Sequence, residues 1–289
     1  MKKVSVFLLL VCVLAVPAFA QNAEASYYVN AAGNDNNNGL TENTPLRSLS
    51  AALSKARNGS IKRITILGVL ANDSAYTANS ISSMNSVFTC LKDPKAPETQ
   101  EITITGKINA SSETSNAVLS GGEYDAAVLL VQGMAIRLEH IEITGGRGSE
   151  GIEGAGIVIL DGASVILGAG AVVHHNAAAG ISILNGSCVI EGGDIRDNQQ
   201  GGVQVSEHCS LTMNSGYIRN NKTANNAGGV YVMAEGYFSM TGGIILGNRA
   251  DIYGGGVYVR AGGVFDQTGG TISGNYAVAG ANIYRQSGI

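Results

Sequence analysis

The side chains best placed to do chemistry are Asp194, Arg196 and Asp197, two carboxylates bracketing a guanidinium, with the apolar Ile195 threaded between them. On extended backbone alternate side chains share a face, so Asp194 and Arg196 point outward together while Ile195 points in. Asp197 adjoins Asn198, however, and an Asp at a corner is an ordinary turn residue. A solvated turn is therefore the preferred reading, and a catalytic trio the alternative, because a cluster in sequence is not a site until geometry assembles it.

Other groups invite the same test. His174 and His175 could contribute to a metal site, but neighbouring side chains on a strand point to opposite faces, and no nearby Cys or carboxylate completes the set. Asp35-Asn36-Asn37-Asn38-Gly39 is like part of a Ca²⁺ loop, yet it lacks the bidentate Glu that closes an EF-hand and reads better as a structural Asx turn. No metal site is expected. Tyr231 and Tyr258 are 27 residues apart, one repeat length, so they stack on the outside of adjacent layers with Tyr284 extending the column. Exposed aromatic faces can lie against sugar rings or anchor a protein partner. Stacked Tyr also simply stabilises neighbouring strands. The sequence holds no nucleophile elbow, phosphate loop or zinc spacing.

What these groups do depends on the elements that carry them. From residue 156 onward one phrase recurs: a glycine-led apolar strand, a second strand, then Ile or Val with two residues between it and an Asn. The strands open at Gly156, Gly180, Gly202, Gly229 and Gly256, with separations of 24, 22, 27 and 27 residues. The closing pairs, Val173/Asn176, Ile195/Asn198, Ile218/Asn221, Ile245/Asn248 and Ile272/Asn275, drift in step. A period in this range signals a repeat array. One copy, with Val230, Val232, Phe238, Met240 and Ile245, cannot bury its own apolar face, whereas stacked copies share a continuous core. Parallel strands about 4.8 Å apart would align Ile181, Val203, Val230 and Val257 into a column. An Asn at each turn can bond the Asn above and below it, and Gly between strands is expected to supply positive φ at the corners. Helical repeats fit poorly with 40 Gly, about twice the usual share of ~7%; a propeller needs about 40 or more residues per blade. The predicted fold is all-β: a single-stranded right-handed parallel β-helix with an N-terminal capping helix, the hand following from the general rule for parallel crossovers.

Lys2-Lys3, the apolar run from Val4 to Val16 and Ala18-Phe19-Ala20 predict a signal peptide over residues 1–20, with the mature chain starting at Gln21. Lipid attachment at Cys12 is disfavoured by the bulky Val11 beside it. No later stretch approaches ~20 uninterrupted apolar residues, so no transmembrane segment is expected after signal removal. Cleavage removes two of 18 basic residues and none of 22 acidic ones, leaving a net charge of −6, which argues against nucleic acid as a partner. Aligning Ile195 with Ile218 places Leu211, not Cys209, over Cys188, which is therefore expected to be a free core cysteine.

Residues 21–60 read as an N-terminal cap: a short strand at Tyr27–Asn30, an Asx-Gly loop, and a helix with Thr44 as its cap, Pro45 in its first turn and Leu46, Leu49 and Leu53 on one face. Its stripe would cover the apolar end of the coil. The coil is expected over 61–289, interrupted by an insertion at about 72–100 that is rich in Ser, Thr and Asn and contains Pro94 and Pro97. At the far end Ala281-Asn282-Ile283-Tyr284 starts another layer with no polar cap in view, which leaves an edge open to end-to-end contact.

On these residues the chain resembles two related groups. Tyr27–Asn30 with Gly33-Asn34-Asp35, Gly39-Leu40 and Pro45-Leu46 is similar to the N-terminal cap motif of secreted pectate-lyase-like β-helix proteins. Gly228-Gly229-Val230 with Ile245-x-x-Asn248, and Gly255-Gly256-Val257 with Ile272-x-x-Asn275, resemble the repeats of bacterial polymorphic outer membrane proteins and adhesin-like passengers. Ile stands where those repeats have Phe, and no translocator barrel is present, so autonomous surface display is not implied. The resemblance implies a secreted protein, bacterial extracellular or outer-membrane associated. The preferred activity is non-catalytic: adhesion, binding of an extracellular glycan or surface protein, or structural display. The alternative is a carbohydrate-active enzyme, a polysaccharide lyase or glycosidase. In a lyase Asp194 and Asp197 would hold Ca²⁺ against a uronate carboxylate and Arg196 would abstract the α-proton.

Overall fold

The computed structural model describes residues 24–71, 86–92, 100–109, 111, 114–122, 124–147 and 155–288. The predicted signal peptide lies outside them.

The chain winds repeatedly past three sides. Eight parallel strands, from Ser86–Leu91 to Ile283–Arg285, form the first side. A fifteen-stranded sheet forms the other two, folding round a corner at the long strands Gly186–Arg196 and Ser210–Arg219. Every pairing between named strands is parallel and joins successive layers, as in Val203↔Val230↔Val257 on the first side. On the second side one inward column runs Ile136, Val165, Cys188, Leu211, Phe238, Phe265. On the third it runs Ile143, Val173, Ile195, Ile218, Ile245, Ile272. Stacking buries these faces in one continuous core, within which the Phe238 and Phe265 rings lie 4.7 Å apart at 11°.

The Asn column is a closed network. Asn176, Asn198, Asn221 and Asn248 each donate Nδ2–H to the next Asn Oδ1, at 2.9, 2.9, 3.0 and 3.0 Å. Each also donates its backbone N–H to the same oxygen, and a second Nδ2–H goes to a carbonyl of the layer before. All four are fully buried, so the full satisfaction of their amides is what makes the burial tolerable.

Glycines between strands do supply positive φ, as at Gly243, Gly247, Gly262 and Gly270, but the strand-opening glycines have another role. None of Gly156, Gly180, Gly202, Gly229 or Gly256 has a positive φ. A Cβ at Gly202 would lie 2.6 Å from Gly229 O and 2.7 Å from Ile218 Cγ2. The glycines are needed for close approach to the next layer, and the left-handed corner is taken instead by the residue before each Asn: His175, Asp197, Asn220, Gly247 and Gly274.

The helix is Leu49–Asn58, with Leu49, Ala52, Leu53 and Ala56 buried at the coil's N-terminal end. Its cap is Ser48, not Thr44. Leu46 is withheld from the helix because it bridges Val29 and lies in the core. Asp35 fixes this junction: one carboxylate oxygen accepts from Arg47 N and Ser48 N at 2.8 and 2.9 Å, the other from Ser48 Oγ at 2.8 Å.

Within the stretch expected to be an insertion, Ser86–Leu91 is a coil strand paired with Ala127–Gln132, and Phe88 is fully buried. The remainder, 72–85 and 93–99, lies outside the described residues.

In the last described layers Gln267 stands over Met240 and Arg285 over Val259, so two inward columns finish in an amide and a guanidinium, while the column through Val257 finishes in Ile283, 36% exposed. Gln267 donates to Gly269 O at 3.2 Å, and Arg285 donates to Phe265 O at 3.0 Å with its guanidinium over the Phe265 ring. Asn282 Oδ1 accepts the Nδ2–H of Asn275 at 3.2 Å and so closes the amide ladder.

Candidate functional site

Asp194, Arg196 and Asp197 do come together on the third side, where Asp194 and Arg196 point outward around the buried Ile195. Arg219, one layer on and in register with Arg196, completes the group. It grips Asp194 with two bonds, Nε to Oδ1 at 3.0 Å and Nη2 to Oδ2 at 2.7 Å. Arg196 approaches Asp194 Oδ2 at 3.3 Å and Asp197 Oδ2 at 2.9 Å. Two carboxylates and two guanidiniums thus neutralise one another, and the bonds from Asp194 hold Arg219 more firmly protonated than usual. Asp197 sits in the left-handed corner column, which accounts for its presence as a turn residue.

His174 and His175 are not splayed apart. His175 has a φ of 52°, which turns its ring back toward His174, and the two Nδ1 atoms are 2.7 Å apart. Glu142, from the layer before, meets His174 Nε2 at 3.1 Å. A carboxylate only accepts, so His174 Nε2–H donates to Glu142, and a neutral His174 then accepts at Nδ1 from His175 Nδ1–H. The ring centroids are 5.0 Å apart, almost the nitrogen separation plus the two ring radii. The rings therefore meet end on, as in a hydrogen bond, not with lone pairs converging on a third atom as in chelation. Burial, opposed by the Glu142 bond and aided by Arg196, lowers the His174 pKa.

Tyr231, Tyr258 and Tyr284 share one outward row of the first side. Tyr231 meets Tyr258 edge-on at 5.2 Å, and Tyr258 stacks on Tyr284 at 5.6 Å. Tyr258 is only 5% exposed, so it is not the open contact face that the sequence suggested. The corner loop explains the difference: Tyr253 stacks on Tyr284 at 4.5 Å, and Gly254 passes so close that a Cβ would lie 2.7 Å from Tyr258 Cβ. The Tyr258 hydroxyl donates to Gln286 Oε1 at 3.1 Å, and burial pushes its pKa up. Of this cluster, the rings left within reach are Tyr231, Tyr253 and Tyr284.

With this geometry in hand, the family model described as "Right handed beta helix region" matches residues 126–289, more than half of the chain. The chain belongs to the right-handed β-helix family. No curated protein and no solved structure matches it.

In this β-helix, the residues that sequence reasoning missed are Arg219, Glu142 and Tyr253. The first two were within reach of the repeat itself, since Ile195 over Ile218 also sets Arg196 over Arg219, and the column of Asp194 leads back through Val172 to Glu142. Tyr253 lies in a corner loop, whose path no strand register specifies. Among the described residues of the β-helix, no group of three or more His, Cys, Asp or Glu is placed to hold a metal ion, and no helix is long and apolar enough to cross a membrane. The Asp35 loop is a structural turn, with Asn34 Oδ1 accepting from Asn36 N and Asn38 Oδ1 from Leu40 N, both at 3.0 Å. Cys188 is a free, buried core cysteine under Leu211, with its thiol pushed up to about 12 by burial.

Proposed function

We propose that this protein is a secreted or surface-exposed β-helix whose work is binding or display of an extracellular glycan or surface protein, without catalysis. The observation that carries this reading is the tyrosine row, in which a rigid strand array and a loop together hold Tyr231, Tyr253 and Tyr284 at the surface around the buried Tyr258. Aromatic rings fixed in this way contact a ligand with little loss of side-chain entropy. The mutual neutralisation of Asp194, Arg196, Asp197 and Arg219 supports the same reading, because it leaves no carboxylate of that group ready to receive a cation. Binding of the wild type to a glycan and surface-protein array should weaken in Tyr231→Ala and in Tyr253→Ala; unchanged binding would discard the row as the contact surface.

One observation favours an enzyme, a lyase or glycosidase on the same coil: the hydrogen-bonded chain Glu142–His174–His175 runs out to the exposed His175, with Arg196 in register beside His174. Acidic polysaccharides incubated with the protein, with and without Ca²⁺, would then yield unsaturated products or new reducing ends. Loss of that activity in His175→Ala or Asp194→Ala would establish the enzymatic reading over the binding one.

A further inference from the structure

Between the N-terminal cap and the first layers of the coil lies an open groove of about 910 Å³, walled by Asn43 and Glu42 of the cap loop and by Lys107, Ile108 and Asn116 of the coil. It runs on into a hollow of about 500 Å³ bounded by Tyr28, Arg63 and Thr65, with Glu42, Lys107 and Ile108 common to both. The larger part alone falls within the usual size of small-molecule sites, about 300–1,000 Å³.

The lining selects among ligand classes. Its charges cancel in pairs: Lys107 Nζ is 2.5 Å from Glu42 Oε2, and Arg63 Nη1 is 3.5 Å from Glu24 Oε2. An anion or a metal ion therefore meets no net attraction. Peptide addition to a strand edge is blocked as well. The edge of Tyr27–Val29 is already taken by the cap loop, through Tyr28 N to Gly39 O at 2.7 Å and Leu46 N to Tyr28 O at 2.8 Å. The opposite wall pairs with itself, Asn109 N to Thr114 O at 2.9 Å. What remains are the exposed amides of Asn43 and Asn116, which both donate and accept, around an apolar ledge formed by Ile108, which is 44% exposed, and the ring of Tyr28. A sugar ring presents the matching surface, with hydroxyls at its rim and C–H groups on its faces. The walls are also preorganised: Asp35 ties the cap loop to the helix start, and the Lys107–Glu42 pair ties the loop to the coil.

We propose that this groove binds a neutral oligosaccharide. The proposal deepens the binding reading and rests on it for the ligand class alone, since the groove lies at the opposite end of the coil from the tyrosine row.

Calorimetric titration of the full chain with cellohexaose, xylohexaose and chitohexaose, beside trigalacturonate, tests it. At least one neutral probe should bind, with an affinity that does not change between low and high salt. Asn43→Ala combined with Asn116→Ala, and separately Ile108→Asp, should weaken that binding by about tenfold or more, while Tyr237→Ala, exposed on the second side of the coil, leaves it unchanged. These side chains are exposed, and an unshifted thermal midpoint would show that the variants fold. Preference for trigalacturonate, no binding of any neutral probe, or full binding by the groove variants would overturn the proposal. If the groove variants bind fully and Tyr231→Ala does not, the groove falls and the tyrosine reading stands; if neither alters binding, both fall.

Discussion

Every layer from Val172–His174 onward turns its corner on a buried Asn, whereas the two layers before it, through Leu119 and Ile143, carry Gly122 and Gly146 at the same place. The ladder therefore ends on backbone, where Gly146 N–H donates to Asn176 Oδ1 at 2.8 Å. Spacing differs too. Register partners in the N-terminal part are separated by 40 and 34 residues, Ile64↔Ile104 and Ile104↔Leu138, against 24, 22, 27 and 27 for Ile157↔Ile181↔Val203↔Val230↔Val257. A chain of buried amides requires its members at a fixed rise, and so requires layers of nearly constant build. The two longer layers, Ile64↔Ile104 and Ile104↔Leu138, lie outside this ladder. That part is held instead by the helix and by a surface network in which Arg137 joins Glu101, Glu139 and Glu191, and Arg63 joins Glu24 and Glu139. Exposed pairs of this kind contribute at most about 1 kcal/mol each.

The contrast can be broken most sharply at Asn221. Asn221→Leu removes both the acceptor used by Asn198 and the donor to Ile195 O and Asn248, and should cost about 4 kcal/mol in denaturant unfolding. A loss below about 1 kcal/mol would mean that the ladder does not hold the C-terminal layers. Gly202→Ala comes next, at about 2 kcal/mol, because the added methyl meets backbone and the neighbouring column; a neutral result would return these glycines to a merely conformational role. Ser48→Ala should cost about 1 kcal/mol, and faster hydrogen exchange should be confined to Leu49–Asn58 and its strand partners; exchange rising equally beyond residue 156 would show that the two parts unfold as one. The smallest effect is on pH dependence. The His174 pKa is lowered from its ordinary 6.5, so the unfolded chain takes up the proton first and stability falls as pH drops below about 6.5 toward the folded value. His174→Gln should flatten that slope, and an unchanged slope would clear His174 of it.

Much of this arrangement was legible because a repeat supplies its own alignment. The column Ile181, Val203, Val230, Val257, the Asn ladder and the placement of Leu211 over Cys188 all follow from one offset per layer. The strand Ser86–Leu91 was hidden because it matches no such phrase and lies in polar, proline-bearing sequence. Thr44 and Pro45 carried a sound helix-start signal, but burial of Leu46 against Val29 outweighed it and moved the start to Ser48. The site suffered most. Side-chain direction at His175 and cover over Tyr258 depend on a left-handed corner and a loop path, neither of which is encoded in strand alternation.

Arg285 reaches back one layer, donating to Phe265 O at 3.0 Å with its guanidinium over the Phe265 ring, so it clamps Ile283–Arg285 to the layer beneath. Without that clamp this strand would be the first part of the coil to open, ahead of any layer held by the amide ladder.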